Sequence, residues 1–177
     1  ALENETFRYV ACKPNYYIAP TNKDKHGKEL WNHHKMVKRT MFNYDGVEGG
    51  KTGYTTNAGG TLVTFAKRGD QELIVVDLCA HGYELYEDTI KMLNYGFNNY
   101  KTIAPFKTMN TVLKDDTYGF LKTGNELSPY KIPLKHLNDV TVMLEKNQSA
   151  SKLTYKCKDN KYIISYDGKQ IGSVKLH

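Results

Sequence analysis

Residues 60–67 and 72–79 form two apolar runs, rich in Val, Leu, Ile, Phe and Thr, on either side of Arg68-Gly69-Asp70. Runs of that length around a glycine-containing turn dictate an antiparallel hairpin. Residues 50–55 precede them as a third extended stretch. Any fold open to this chain therefore contains a sheet of three consecutive strands. The run 72–79 is nearly all apolar, which predicts a strand buried on both faces. Cys79 at its end is expected to act as a small buried hydrophobe. Residues 86–97 carry Ile90, Met92, Leu93 and Phe97 on one side, with Gly96 near the end, as an amphipathic helix does. Strands followed by a helix that packs on them make an α+β layer.

The flanking regions are less regular. Residues 6–19 read as extended, from the alternation Phe7-Arg8-Tyr9-Val10-Ala11-Cys12 and from Tyr16-Tyr17-Ile18 after the turn-like Lys13-Pro14-Asn15. Leu30, Trp31, His34 and Val37 at helical spacing predict a helix within 23–38, interrupted by Gly27. Beyond Pro105 the texture changes to short strands at 108–113, 140–144, 153–157, 161–166 and 170–176. Asp167-Gly168 is a two-residue hairpin turn between the last two. Short strands at such spacing predict a small sandwich. We place a domain boundary at 104/105, giving an α+β domain over 1–104 and a small β-rich domain over 105–177.

The bulk numbers narrow the function classes. At 177 residues, 40% hydrophobic and 25% charged, the chain is long enough for one sizeable core or two small ones. It has no apolar run long enough to span a bilayer, and its first residues lack the basic and apolar regions of a signal peptide. The net charge is +6, but the lysines are scattered, without the dense Lys/Arg run of a nucleic-acid patch. Nucleic acid is not expected as a partner. The three cysteines, Cys12, Cys79 and Cys157, cannot close a disulfide framework and have no zinc spacing. His33 and His34 are adjacent, and His26 and His81 are distant from them, so no metal or cofactor is expected.

Chemistry concentrates in Gly49-Gly50-Lys51-Thr52-Gly53-Tyr54-Thr55. A strand bordering a cleft can pair its backbone with an extended peptide. Lys51 supplies a positive charge and a donor. The Thr52 hydroxyl can bind a carboxylate, and Gly53 removes the side chain that would block close approach. The N–H of Tyr54 can donate to a developing oxyanion. A second Lys122-Thr123-Gly124 lies in a plain turn and lacks this context. Two Ser-x-x-Lys matches, Ser128-Pro129-Tyr130-Lys131 and Ser149-Ala150-Ser151-Lys152, have the wrong setting for a nucleophile, which needs its lysine one helical turn away. Pro129 disrupts the first, and the second is a polar turn between strands.

The stretch from Asp45 to Gly59 resembles the third active-site motif of the low-molecular-mass penicillin-binding proteins, the serine-type D-alanyl-D-alanine carboxypeptidases. Thr21-Asn22 with Asn32-His33-His34-Lys35 resembles the segment before that motif. Residues 62–68 resemble the next strand, 86–97 the closing helix, and the stretch through Gly168–Val174 the β-rich domain that follows. The likeness covers nearly the whole chain. It implies the C-terminal half of a transpeptidase-like sheet with its closing helix, then a small all-β sandwich. It implies Lys51 for electrostatics and proton relay, Tyr54 N–H for the oxyanion, and Thr52, Gly53 and Thr55 for the substrate.

In that family an activated serine attacks the bond between two terminal D-alanines of a peptidoglycan stem peptide, and penicillins acylate the same serine. The resemblance also implies a departure. The Ser-x-x-Lys and Ser-x-Asn motifs precede Lys-Thr-Gly in the family, yet residues 1–127 here contain no serine. The chain is therefore expected to be inactive alone, with its nucleophile on a segment outside it. Many relatives carry an arginine near the last helix that helps hold the substrate carboxylate. Leu85 stands at that place here, and Arg68 is expected to be a turn residue. The alternative is a non-catalytic wall-associated scaffold that keeps the fold. The expected partners are stem peptides and β-lactams, an N-terminal catalytic half or a second copy, and a membrane reached through a further segment. The expected location is the extracytoplasmic bacterial envelope.

Overall fold

The computed structural model describes residues 1–38, 41–107, 111–113, 118–123, 126–127, 132–133, 140–159 and 161–175. The chain divides into two compact units, Ala1–Asn98 and Asn99–His177.

The first unit opens with a helix, α1 (Glu5–Ala11). This corrects the expectation of extended chain over Phe7–Cys12, whereas Tyr16-Tyr17-Ile18 is extended as expected. Asn4 caps the helix by accepting the Phe7 N–H at 2.8 Å, and Glu5 stands in the positive first turn. A six-residue apolar–polar alternation is too short to outweigh a cap. β1 (Asn15–Ile18) then pairs antiparallel with β2 (Lys28–Trp31). The predicted helix within 23–38 is likewise corrected. Leu30 and Trp31 form strand pairs with Tyr16 and Asn15, and Gly27 turns the chain at φ +71°. Long-range pairing overrode an apparent helical spacing.

β3 (Val47–Thr55), β4 (Gly59–Arg68) and β5 (Gln71–Ala80) form the expected antiparallel sheet, in the order β3-β4-β5. α2 (Glu84–Asn99) covers one face. Leu85, Tyr86, Leu93 and Phe97 pack there with Leu62, Ala66, Val75, Met36 and Phe42. Burial of each large side chain in this layer contributes roughly 1.5–3 kcal/mol. Arg68 does more than turn the chain. Its guanidinium lies 4.7 Å from the Tyr44 ring and 4.5 Å from the Phe97 ring, and its Nε donates to the Asp45 carbonyl at 3.1 Å.

β5 is not buried on both faces. Val75 is buried, but Ile74, Val76 and Leu78 are 61%, 54% and 67% exposed. α2 lies against one face only, whereas on the other α1 lies close to Gly49 and reaches β5 only through Arg8, which donates to Glu72 near the start of that strand. Cys79 is exposed, at φ +63°, rather than buried.

The second unit is a set of antiparallel strands. β6 (Tyr100–Ile103) pairs with β11 (Val142–Glu145), and among the described residues β7 (Thr111–Leu113), β8 (Tyr118–Thr123), β9 (Glu126–Leu127) and β10 (Ile132–Pro133) lie between them in sequence. β12 (Leu153–Lys158), β13 (Lys161–Tyr166) and β14 (Lys169–Lys175) make a meander. Phe106, Val142 and Leu144 pack against Leu153, Tyr162 and Ile164. The α+β class expected from the sequence is the class the chain adopts.

Candidate active site

The Lys-Thr-Gly sequence lies on β3, at the edge of its sheet. Among the described residues no strand pairs with the outer side of β3, so its backbone groups there are open to an added strand. Register with β4 sets Lys51 opposite Val63, Thr52 opposite Leu62, Gly53 opposite Thr61 and Tyr54 opposite Gly60. Successive side chains alternate between faces. Thr52 and Tyr54 thus share the face that α2 covers, whereas Lys51, Gly53 and Thr55 share the open one. Lys51 is exposed, and its Nζ donates to the Thr52 carbonyl at 2.5 Å. Tyr54 is exposed as well. A Cβ on Gly53 would lie 2.5 Å from Thr61 Oγ1, so this position has no room for a side chain.

The strand rests on a buried histidine. His34 is fully buried, and its Nε2 lies 2.9 Å from Thr64 Oγ1 on β4. A Cβ on Gly50 would collide with the Val63 carbonyl and come within 2.7 Å of that ring nitrogen. Burial lowers the imidazole pKa to about 4. The ring is therefore neutral at pH 7 and acts as a structural support. The segment is pinned further by the Asn32 side chain. Its Nδ2 donates to the Ala11 and Lys13 carbonyls, and its Oδ1 accepts the His34 N–H at 3.0 Å. His33 and His34 do point apart, as neighbours would, with His34 inward and His33 exposed.

A cleft of about 630 Å³ opens beside the motif. Thr52, Gly53 and Tyr54 form one side, and His33, Lys35, His81 and Tyr83 contribute to the rest. The Lys35 ammonium lies 4.0 Å from the Tyr83 ring centroid, and the Lys35 N–H donates to Tyr86 Oη at 3.4 Å. Among the described residues, no Asp or Glu lines the cleft. Its cationic and hydroxyl lining suits an anionic group. Leu85 is buried in the cleft wall. The sequence considered His33 and His81 only as metal ligands and did not single out the Lys35 and Tyr83 side chains. Two loops far apart in sequence bring these groups together, and no local pattern marks them.

A second cavity, about 730 Å³, lies against α1 and away from Lys51. There Arg8 donates to both Glu48 and Glu72, which raises its pKa and ties α1 to β3 and β5. Burial pushes the Cys12 thiol pKa up, which works against thiolate chemistry.

The other sequence matches stay apart from this site. Lys122 and Thr123 fall on β8, and Gly124 lies outside the described residues. Ser128-Pro129-Tyr130-Lys131 also lies outside them. Ser149 caps a 3-10 turn (Ala150–Lys152) and lies 2.8 Å from Ser151 Oγ. Lys152 turns instead to Asp167 at 3.3 Å.

Comparison with known proteins adds to this geometry. No family model matches the chain. It is 29% identical over 154 residues to the D-alanyl-D-alanine carboxypeptidase DacF of Bacillus subtilis, covering 84% of this chain and 37% of that one. It is 35% identical over 77 residues to the D-alanyl-D-alanine carboxypeptidase DacC of Escherichia coli, covering 43% of this chain and 18% of that one. Penicillin binding protein 5 from Haemophilus influenzae shares the fold, with a TM-score of 0.58 over 96% of this chain and 49% of that one, at 22% identity. These likenesses support a relationship to the low-molecular-mass penicillin-binding proteins, among which the curated relatives are D-alanyl-D-alanine carboxypeptidases. It spans well under half the length of the curated relatives it matches.

Proposed function

We propose that this chain forms one wall of the active site of a serine-type, penicillin-sensitive D-alanyl-D-alanine carboxypeptidase. The observation that carries the proposal is the edge strand β3, whose Lys-Thr-Gly sequence borders a cleft that no acidic side chain lines among the described residues. The peptidoglycan stem peptide adds to that edge as an extended strand. Thr52 Oγ1 donates to its terminal carboxylate, and Lys35 adds positive charge to the same cleft. The Tyr54 N–H donates to the oxyanion that develops as the scissile carbonyl is attacked. Lys51 stabilises negative charge and relays a proton from the open face, and Gly53 and Thr55 contact the substrate backbone along the same edge. A serine on a segment outside this chain, or on a second copy, attacks the carbonyl. D-alanine leaves, and water releases the acyl group.

In this proposal residues 1–104 are the C-terminal part of the transpeptidase-like domain and 105–177 a small β-rich domain. The work is done in the extracytoplasmic envelope. The lack of serine in residues 1–127 favours one rival, a scaffold without catalysis.

Labelling with a fluorescent penicillin separates the two. This chain alone should stay unlabelled. A protein joining it to a segment that carries Ser-x-x-Lys and Ser-x-Asn should label, and Lys51→Ala should slow that labelling by about 100-fold or more. Labelling of the chain alone would overturn the account of the nucleophile. Absence of labelling in the joined protein would favour the scaffold.

A further inference from the structure

Strand register in the second unit gathers lysines that the sequence scatters. Lys158 on β12 lies opposite Lys161 on β13, and Lys161 lies opposite Lys175 on β14. Directly paired residues on a sheet share a face, with Cα atoms about 5 Å apart. Three ammonium groups therefore rise side by side in a row across three strands. Lys156 lies on the same face, in the next row, with Ile163 and Ser173. The row beyond holds Thr154, Ser165 and Gln170. Leu153, Tyr162 and Ile164 point the other way, into the core.

All four lysines are exposed, and none makes an ion pair among the described residues. None of the positions named on this face is Asp or Glu. Like charges directly opposite one another destabilise a sheet. Packing does not require lysine at these exposed positions, and although lysine on the edge strands β12 and β14 discourages strand addition, Lys161 lies on the central strand, where that reason does not apply. A counter-charged partner would reverse the sign of that destabilisation.

We propose that this face binds a linear polyanion carrying closely spaced phosphate groups. Lysine is a compact point charge suited to phosphate, whereas paired recognition of carboxylates favours the arginine fork. The row runs straight across the strands, as a single extended chain laid over them would. Thr154, Ser165 and Ser173 offer further donors. A bilayer surface fits less well, because Ile163 is the one large apolar residue among the paired positions named and it is half-buried. Binding would release condensed counterions from the polymer and so weaken with salt. This inference is independent of the proposed catalysis.

The test is fluorescence anisotropy of labelled inorganic polyphosphate with the full chain. The triple variant Lys158→Gln, Lys161→Gln, Lys175→Gln should bind about tenfold or more weakly. The slope of log affinity against log salt should fall by about 2. A charge-matched control, Lys23→Gln, Lys25→Gln, Lys28→Gln, should stay within about twofold of the parent. The single Lys161→Gln should show a smaller loss in the same direction, without burdening the fold. The thermal midpoint of the triple variant should not drop, since it removes repulsion. Equal losses in both triple variants would reduce the effect to net charge and overturn the proposal. So would tighter binding to phosphatidylglycerol vesicles or to a single-stranded oligonucleotide than to polyphosphate.

Discussion

At the scale of single residues, His34 ties the stability of the first unit to pH. Its folded pKa of about 4 lies below the ordinary histidine value of 6.5. Between these values the unfolded chain binds the proton and the folded one does not, so acidification favours unfolding. The contribution is fully present above about pH 6.5 and is lost as pH falls towards 4. The loss amounts to roughly 3 kcal/mol at most. Urea unfolding at pH 7 and pH 5 should show a lower midpoint at pH 5. His34→Gln should flatten that difference while lowering the midpoint at pH 7. An unchanged pH difference in the variant would assign the acid sensitivity to other groups. Lys51, Thr52 and Tyr54 differ from His34 in that the sequence already marks them as candidates and places them on a strand. Their meaning lies in a contiguous triplet and its neighbours, and β3 presents them on alternate faces of an edge strand as a strand must.

Individual elements differ in how far their own residues decided them. The β13–β14 hairpin was set locally. Asp167 and Gly168 both adopt positive φ, 46° and 78°, the conformation of a tight turn that matches strand twist. Gly168→Ala should cost about 1 kcal/mol, read as a lower thermal midpoint, because an L side chain resists that conformation. No change would mean that the turn relaxes freely. α1 and β2 went the other way. The helix owes its start to the Asn4 cap, and the strand owes its existence to Tyr16 and Asn15 across the hairpin. Periodicity over six or eight residues carries too little information to outweigh such contacts.

For the whole molecule, the open face of the three-stranded sheet is the main consequence. Ile74, Val76 and Leu78 stand exposed beside the half-buried Val63, on the face that also carries Lys51. Exposed apolar patches of this kind are interaction surfaces, and the outer edge of β5 pairs with no strand among the described residues. The chain should bind a hydrophobic dye or self-associate in solution, as light scattering would show. Ile74→Lys with Leu78→Lys should reduce both. A monodisperse chain that ignores the dye would argue against a covering partner.

The amino-acid sequence by itself settled the local matters. These are the β4–β5 hairpin about Gly69, the amphipathic α2, the Asp167-Gly168 turn and the Lys51-Thr52-Gly53 strand with its family likeness. Each depends on residues within a few positions of one another, where backbone sterics and side-chain period act directly. The tertiary structure alone decided that β5 has one covered face, that His34 supports Gly50 from below, and that Lys35 and His81 meet Thr52 across a cleft. It also decided that Lys158, Lys161 and Lys175 stand in a row. These depend on which distant segments pair and in what register, and a shift of one residue would send each of those lysines to the opposite face.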